Sequence, residues 1–351
     1  MPTTSVRRQG VLCLFLILFC LGAGVARADI VWHPDTGWQI EGGVLAGVSG
    51  PAARSALELM NRGREAEERG SSGSALRAYK KVVKKYPSSV FASEALYRTG
   101  KLYLARKQYF KSFSAFATVL ASYPNTKYFN DIVGEEYRIA SSLLDGARNR
   151  YFGIIPGFRN RSRAVDYFEV IVQSAPYSDY APLALMSKAR AQLKDRDIEE
   201  AIDSLDRMIN LYPQSLLAPD AYLKLAQTHA MLVDGPRYDQ GSTKEAITYF
   251  EDFLILFPND PNVPAAATGL DKMKQVLSES KIEIGDFYYR YRKNYTAARV
   301  FYNEAITAYP DSEVAARARA KLAQVEASAS GQPLPTDSST PGKKKKRFFF
   351  F

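Results

Sequence analysis

The fold is decided by Ala75-Leu-Arg-Ala-Tyr79-Lys-Lys-Val-Val-Lys-Lys-Tyr86-Pro87, a small residue, an aromatic four later, an apolar pair and an aromatic-proline stop. On a helix, Ala75 and Tyr79 share one face and Val82-Val83 prolong that stripe. Pro87 ends it, because proline cannot continue a helix and pushes the residue before it out of the helical region. The same punctuation returns at Tyr123-Pro124, Ala175-Pro176, Tyr212-Pro213, Phe257-Pro258 and Tyr309-Pro310. Twelve residues before the prolines stand Ala75, Ser112, Ala164, Ala201, Ala246 and Ala298, and eight before stand Tyr79, Phe116, Phe168, Leu205, Phe250 and Tyr302. Upstream, Gly63, Gly100, Ala189 and Ala226 provide the small residue that lets a partner helix cross closely. A helical hairpin repeated at such a period reads as a solenoid.

These hairpins resemble the tetratricopeptide (TPR) repeat, with a 37-residue period where about 34 is usual. The fold class expected is all-α, a TPR-type helical-hairpin solenoid of about six units with a C-terminal capping helix. Proline spacings of 37, 52, 37, 45 and 52 locate the insertions. The first, residues 146–161, reads as a loop both basic and apolar, and such loops carry function. The second, 234–243, reads as a solvated connection, and the third as a lengthened first helix opening at Pro264. Residues 312–327 read as the capping helix.

Outside the repeats, Arg7 and Arg8 precede an apolar run over 11–24 and Ala26-Arg27-Ala28 follows, so residues 1–28 read as a signal peptide cleaved after Ala28. The domain plan is then 29–51, a non-helical segment holding both tryptophans; 52–327, the solenoid; 328–342, a disordered linker rich in Ser, Gly, Pro and Thr; and 343–351, a basic and aromatic tail. The first of these reads as a cap over the open face of the first repeat, or else as a partner-binding peptide, with His33 structural. In the tail, Lys343, Lys344, Lys345, Lys346 and Arg347 adjoin Phe348, Phe349, Phe350 and Phe351. Cations for head groups beside rings for the acyl boundary fit an interfacial membrane anchor. A terminal aromatic and carboxylate that occupy the chain's own groove, and an idle end, are the other readings.

Of the +10 formal charge over 351 residues, three arginines lie in the leader and five cations in the tail, leaving the body at +2, a poor nucleic-acid surface. Both cysteines, Cys13 and Cys20, fall in the leader and only His33 and His229 offer imidazole, so neither a metal site nor a cofactor is expected. No phosphate loop, nucleophile elbow or zincin motif appears, so catalytic residues are expected to be none. The pairs Glu67-Glu68, Glu135-Glu136 and Glu199-Glu200 read as solvated surface.

The last third carries a narrower resemblance. Leu277-Ser-Glu-Ser-Lys-Ile-Glu-Ile-Gly-Asp-Phe-Tyr-Tyr-Arg290, Tyr295-Thr-Ala-Ala-Arg299 and Glu304-Ala-Ile-Thr-Ala-Tyr-Pro310 resemble the final repeat of the BamD family, TPR lipoproteins of the outer-membrane β-barrel assembly machinery, and 246–258 fits the same family. The resemblance implies a periplasmic, non-enzymatic scaffold on the inner face of the outer membrane. It also implies contact with a BamA-like barrel-forming subunit through the C-terminal repeats, where Ile282, Asp286 and Tyr289 are the candidate partner-binding residues, and with unfolded outer-membrane proteins through the N-terminal ones. Family members are anchored by a lipidated cysteine, but Phe19 before Cys20 and Leu12 before Cys13 do not make a good lipobox. The alternative is a soluble periplasmic TPR adaptor of envelope maintenance, of the Tol-Pal coordinator type. If the first helices line a groove, Met60, Arg64, Tyr97, Arg98 and Lys101 are the candidate peptide-binding set, because an aromatic with cations suits a peptide ending in an aromatic residue and a carboxylate. The competing reading is that Tyr97 packs between repeats and the cations face water.

Overall fold

A computed structural model describes residues 29–34, 37–41, 51–238 and 240–330. The expected leader (1–28), Cys20, the remainder of the linker and the tail 343–351 lie outside the described residues. The chain divides between Tyr180 and Ala181 into two compact units, each a stack of antiparallel helical hairpins.

The first unit opens with β1 (Asp29–His33) antiparallel to β2 (Gly37–Glu41), Trp32 opposite Trp38. Trp32 packs against the first-hairpin core around Met60, Tyr79 and Phe91, with the Arg64 guanidinium 5.4 Å from its ring centre. The hairpins are α1 (Pro51–Glu68) with α2 (Ser72–Lys85), α3 (Ala92–Ala105) with α4 (Tyr109–Ser122), and α5 (Phe129–Leu144) with α6 (Ser162–Ser174). The insertion expected as a loop is a β-hairpin, β3 (Arg148–Tyr151) paired with β4 (Ile155–Arg159). In the second unit follow α7 (Tyr180–Asp195, its first residue belonging to the first unit), α8 (Ile198–Leu211), α9 (Ala218–Met231), α10 (Gly241–Leu256), α11 (Val263–Phe287), α12 (Tyr295–Ala308) and the cap α13 (Glu313–Ser330). That cap continues to Ser330, so residues 328–330, expected to start the linker, are helical.

The repeat chemistry explains the hairpins. Ala75, Ser112, Ala164, Ala201, Ala246 and Ala298 are all fully buried, as are Tyr79, Phe116, Phe168, Leu205 and Tyr302, with Phe250 at 3% exposure. Burying each such large side chain contributes about 1.5–3 kcal/mol. A β-carbon on Gly63 or Gly100 would run into the ring of Tyr79 or Phe116, so these positions admit nothing larger than glycine without displacing an aromatic ring. Gly285, which no count of residues back from Pro310 singles out, stands in the same relation to Tyr302. Buried Ser112 is satisfied by donating to the Gly100 carbonyl at 2.9 Å.

Where the prolines fall, six helices stop alike. Tyr86, Tyr123, Ala175, Tyr212, Phe257 and Tyr309 have φ between −128° and −150° and ψ between 50° and 76°, outside the helical region as steric conflict with the following ring requires. At the other turn, inside the hairpins, Lys107, Arg196 and Lys293 adopt left-handed φ of 56°, 66° and 53°. Both looped insertions sit at this inner turn: β3–β4 lies between α5 and α6, and residues 232–240 lie between α9 and α10. The third is helical. Helix α11 runs 25 residues and passes into a π-turn over Tyr288–Arg292 before Lys293 reverses the chain.

Candidate functional site

The proposed N-terminal peptide site does not assemble as a free surface. Met60 is fully buried in the first core, so it cannot line a groove; it sits on the stripe of α1 that meets Tyr79 and Phe91. Arg64 is taken up by Glu68 at 3.3 Å and by the Trp32 ring. Tyr97 stacks on Tyr128, ring centres 4.4 Å apart, and leans on Phe116 at 6.0 Å, the packing reading of that residue. Arg98 bridges Glu94 at 2.6 Å and Glu67 at 3.3 Å, while Lys101 meets Glu135 at 2.6 Å. Burial pushes the Glu94 carboxyl above its ordinary range and Arg98 opposes that shift. Each cation is therefore engaged by a carboxylate, Arg64 and Arg98 on their own helices and Arg98 and Lys101 also across to Glu67 and Glu135 of neighbouring ones, although Lys101 stays partly exposed.

Two adjacent carboxylates, one of them the partner of Lys101, correct the sequence reading. Glu135 and Glu136 lie mid-helix on α5 and are buried at 4% and 0% exposure, so they are core groups and not solvated surface. Glu135 is held by Lys101 and by Arg138 at 3.3 Å. Neither oxygen of Glu136 has a hydrogen-bond partner, and desolvation pushes its carboxyl up to about 8. At neutral pH that group holds its proton.

An open cleft lies on another side of the same repeats, about 470 Å³ between α2, α3 and α4. Tyr103 forms part of its lining, with Lys80 and Lys111 ammonium groups 5.2 and 5.6 Å from its ring centre, and Lys84, Phe110 and Thr118 complete the edge. A cation-rimmed aromatic floor suits an anionic or aromatic peptide end. Neither Lys80 nor Lys84 was singled out from the sequence; their spacing of four from each other was the available signal.

In the last repeat, the three expected partner-binding residues turn inward. Ile282 is 7% exposed and belongs to the core with Tyr302, Ala305 and Val314. Asp286 accepts from the Tyr302 hydroxyl at 2.6 Å and from Lys321 Nζ at 2.8 Å on each oxygen, with Arg290 3.6 Å away. Burial, then the hydrogen bond to Asp286, raises the Tyr302 hydroxyl well above its ordinary value. Tyr289 reaches Ser328 through its hydroxyl at 2.9 Å and packs on Tyr295. These residues lock α11, α12 and α13 together. The side chains left outward on the same stretch are Ile284, Phe287 and Tyr291, at 36%, 44% and 78% exposure. Ile284 and Phe287 edge a cleft of about 230 Å³ completed by Pro236, Arg237 and Tyr238 of the 232–240 connection, which Arg237 ties to Glu283 at 3.5 Å. The connection expected to be plain solvated loop thus helps build this surface.

Residues 159–330 match the family model described as Outer membrane lipoprotein (YfiO), which spans every one of these second-unit helices. Over this stretch the chain is similar to the BamD family. A tetratricopeptide-repeat model matches residues 94–126, across α3 and α4. Outer membrane protein assembly factor BamD of Rickettsia prowazekii is 28% identical over 191 residues, 54% of this chain and 72% of the relative. The BamD of Caulobacter vibrioides is 31% identical over 130 residues, 37% of this chain and 42% of the relative, and that of Xylella fastidiosa (strain 9a5c) 23% over 155 residues, covering 41% and 53%. The aligned stretch thus spans about half of the Caulobacter and Xylella proteins. Among solved structures, a tetratricopeptide repeat protein from Parabacteroides merdae aligns over 76% of this chain and 97% of its own at 12% identity and a TM-score of 0.31. Among the described residues, no helix is long and apolar enough to cross a membrane.

Proposed function

We propose that this chain is a non-enzymatic, protein-binding scaffold of the outer-membrane β-barrel protein assembly machinery, working at the periplasmic, inner face of the outer membrane. The observation that carries the reading is the exposed strip Ile284, Phe287 and Tyr291 on the final repeat, inside the stretch that matches the outer membrane lipoprotein family. A surface whose neighbours Asp286 and Tyr289 are spent on internal bonds, yet which leaves aromatic side chains outward, suits a protein interface. The partner at this end is a BamA-like barrel-forming subunit. Unfolded outer-membrane proteins are the proposed clients of the first unit. There a client carboxylate would have to displace Glu94 or Glu135 from Arg98 or Lys101, whereas the lysine-rimmed cleft over Tyr103 stands open. The tail 343–351 is proposed as a further membrane contact.

The test is a mild-detergent pull-down from envelopes, with and without residues 343–351. Recovery of a barrel protein with periplasmic repeat domains supports the reading, and loss of membrane association only on truncation assigns an anchor to the tail. Recovery of Tol-Pal or peptidoglycan enzymes with no barrel partner in either form overturns it in favour of an envelope-maintenance adaptor.

A further inference from the structure

The β3–β4 hairpin presents an unusual tip. Ile154 N–H donates to the Tyr151 carbonyl at 3.1 Å, and the two central residues, Phe152 and Gly153, both have positive φ, 54° and 81°. Residues 152–154 join the paired Tyr151 and Ile155 in a tight turn, and a positive φ at its first position ordinarily goes to Asn, Asp or Gly, since a β-carbon is disfavoured there. Here an aromatic residue takes it and adds little to the core, for Phe152 is 74% exposed. Around it Tyr151, Ile154, Ile155 and Phe158 are exposed at 51%, 77%, 58% and 93%. Ile155 and the exposed Pro156 are neighbours on one strand and so project from opposite faces of the ribbon. The tip is apolar all round.

Behind the tip stands a collar of cations. Arg148, Arg150, Arg159 and Arg161 are exposed, and the sequence holds no acidic residue between Asp145 and Asp166. The hairpin is seated on the preceding repeat: Arg150 N–H donates to the Lys107 carbonyl at 2.9 Å, Phe110 N–H to Oδ1 of buried Asn149 at 3.2 Å, and Arg106 Nη2 to the Phe152 carbonyl at 3.1 Å. The Arg163 guanidinium stacks over Phe110 at 4.6 Å. The hairpin is therefore held out as a fixed projection.

A protein groove would cover one face of a ribbon. A tip apolar on both faces with cations behind it matches the boundary between acyl chains and anionic head groups. We propose that the 148–159 hairpin is a membrane-interfacial wedge: Phe152, Ile154, Ile155 and Phe158 enter the head-group and acyl boundary of an anionic bilayer, and Arg148, Arg150, Arg159 and Arg161 pair with its lipid phosphates. This contact is independent of the barrel-assembly reading and of residues 343–351.

The experiment puts a local reporter on the tip. The full chain carrying Phe158→Trp is mixed with vesicles of phosphatidylethanolamine and phosphatidylglycerol, or of phosphatidylcholine alone, and the emission of the parent protein, which has Trp32 and Trp38, is subtracted. The expected result is a blue-shifted emission quenched by acyl-brominated lipid on the anionic vesicles only, because binding through the tail alone leaves this reporter in water. Arg150→Gln and Arg161→Gln added to it should each lower the partition coefficient about fivefold. Emission that stays at its aqueous position on anionic vesicles overturns the proposal. So does a shift produced by an unfolded outer-membrane barrel protein and not by vesicles, which would make the hairpin a protein-docking edge.

Discussion

The hydroxyl of Tyr302 donates to Asp286 at 2.6 Å across the last helical hairpin, and the same carboxylate takes Lys321 of the capping helix on both oxygens. One aspartate thus joins three helices. Tyr302→Phe should lower the unfolding free energy by about 1 kcal/mol, and Asp286→Ala by about 2 kcal/mol, a figure reduced for the carboxylate's partial exposure. Urea denaturation of the full chain measures both, and midpoints equal to the parent's would show the junction to be idle.

Phe287→Ser with Tyr291→Ser addresses the outward side of the same element. Since both rings are substantially exposed, the thermal midpoint should stay within a degree or so of the parent's, on the order of 0.5 kcal/mol. Copurification of the barrel partner should fall at least about tenfold, as expected when aromatic anchors of an interface are removed. Undiminished copurification places the interface elsewhere.

Gly100→Ala sets two effects against each other. Alanine favours the helix by about 1 kcal/mol, but its β-carbon would sit 2.6 Å from Cδ1 of the fully buried Phe116 ring. Overpacking of that kind costs about 1–3 kcal/mol, so the net change should be destabilising. A stabilised variant would mean that the two helices part easily.

Glu136 predicts a pH dependence. Its folded-state carboxyl titrates near 8 because it is desolvated without a partner, against about 4.5 ordinarily. The folded state therefore holds the proton more tightly than the unfolded chain. This contribution to stability is complete below about pH 4.5, declines as pH rises, and is gone above about pH 8. Glu136→Gln should flatten that decline and stabilise the protein at pH 8 by a few kcal/mol, on the order of what such a shift represents. Parallel stability profiles for parent and variant between pH 5 and pH 8 would contradict it.

What the sequence by itself determined is local in origin. Helix periodicity put Ala75 and Tyr79 on one face, and proline's ring forced the residue before it out of helical geometry six times over, so the repeat, its hairpins and its insertions could be read without coordinates. The family resemblance was legible in the last third, where 277–310 fall within the matched stretch. Tertiary structure alone decided which side chains are free. Arg98 and Lys101 look like open cations until Glu67 and Glu135, 31 and 34 residues away in sequence, neutralise them. Glu136 looks like surface until the packing of its helix α5 buries it, and Asp286 looks like a contact point until Tyr302 and Lys321 close on it. Pairing between neighbouring repeats depends on how whole helices stack, and no spacing along the chain encodes which partner arrives at a given charge.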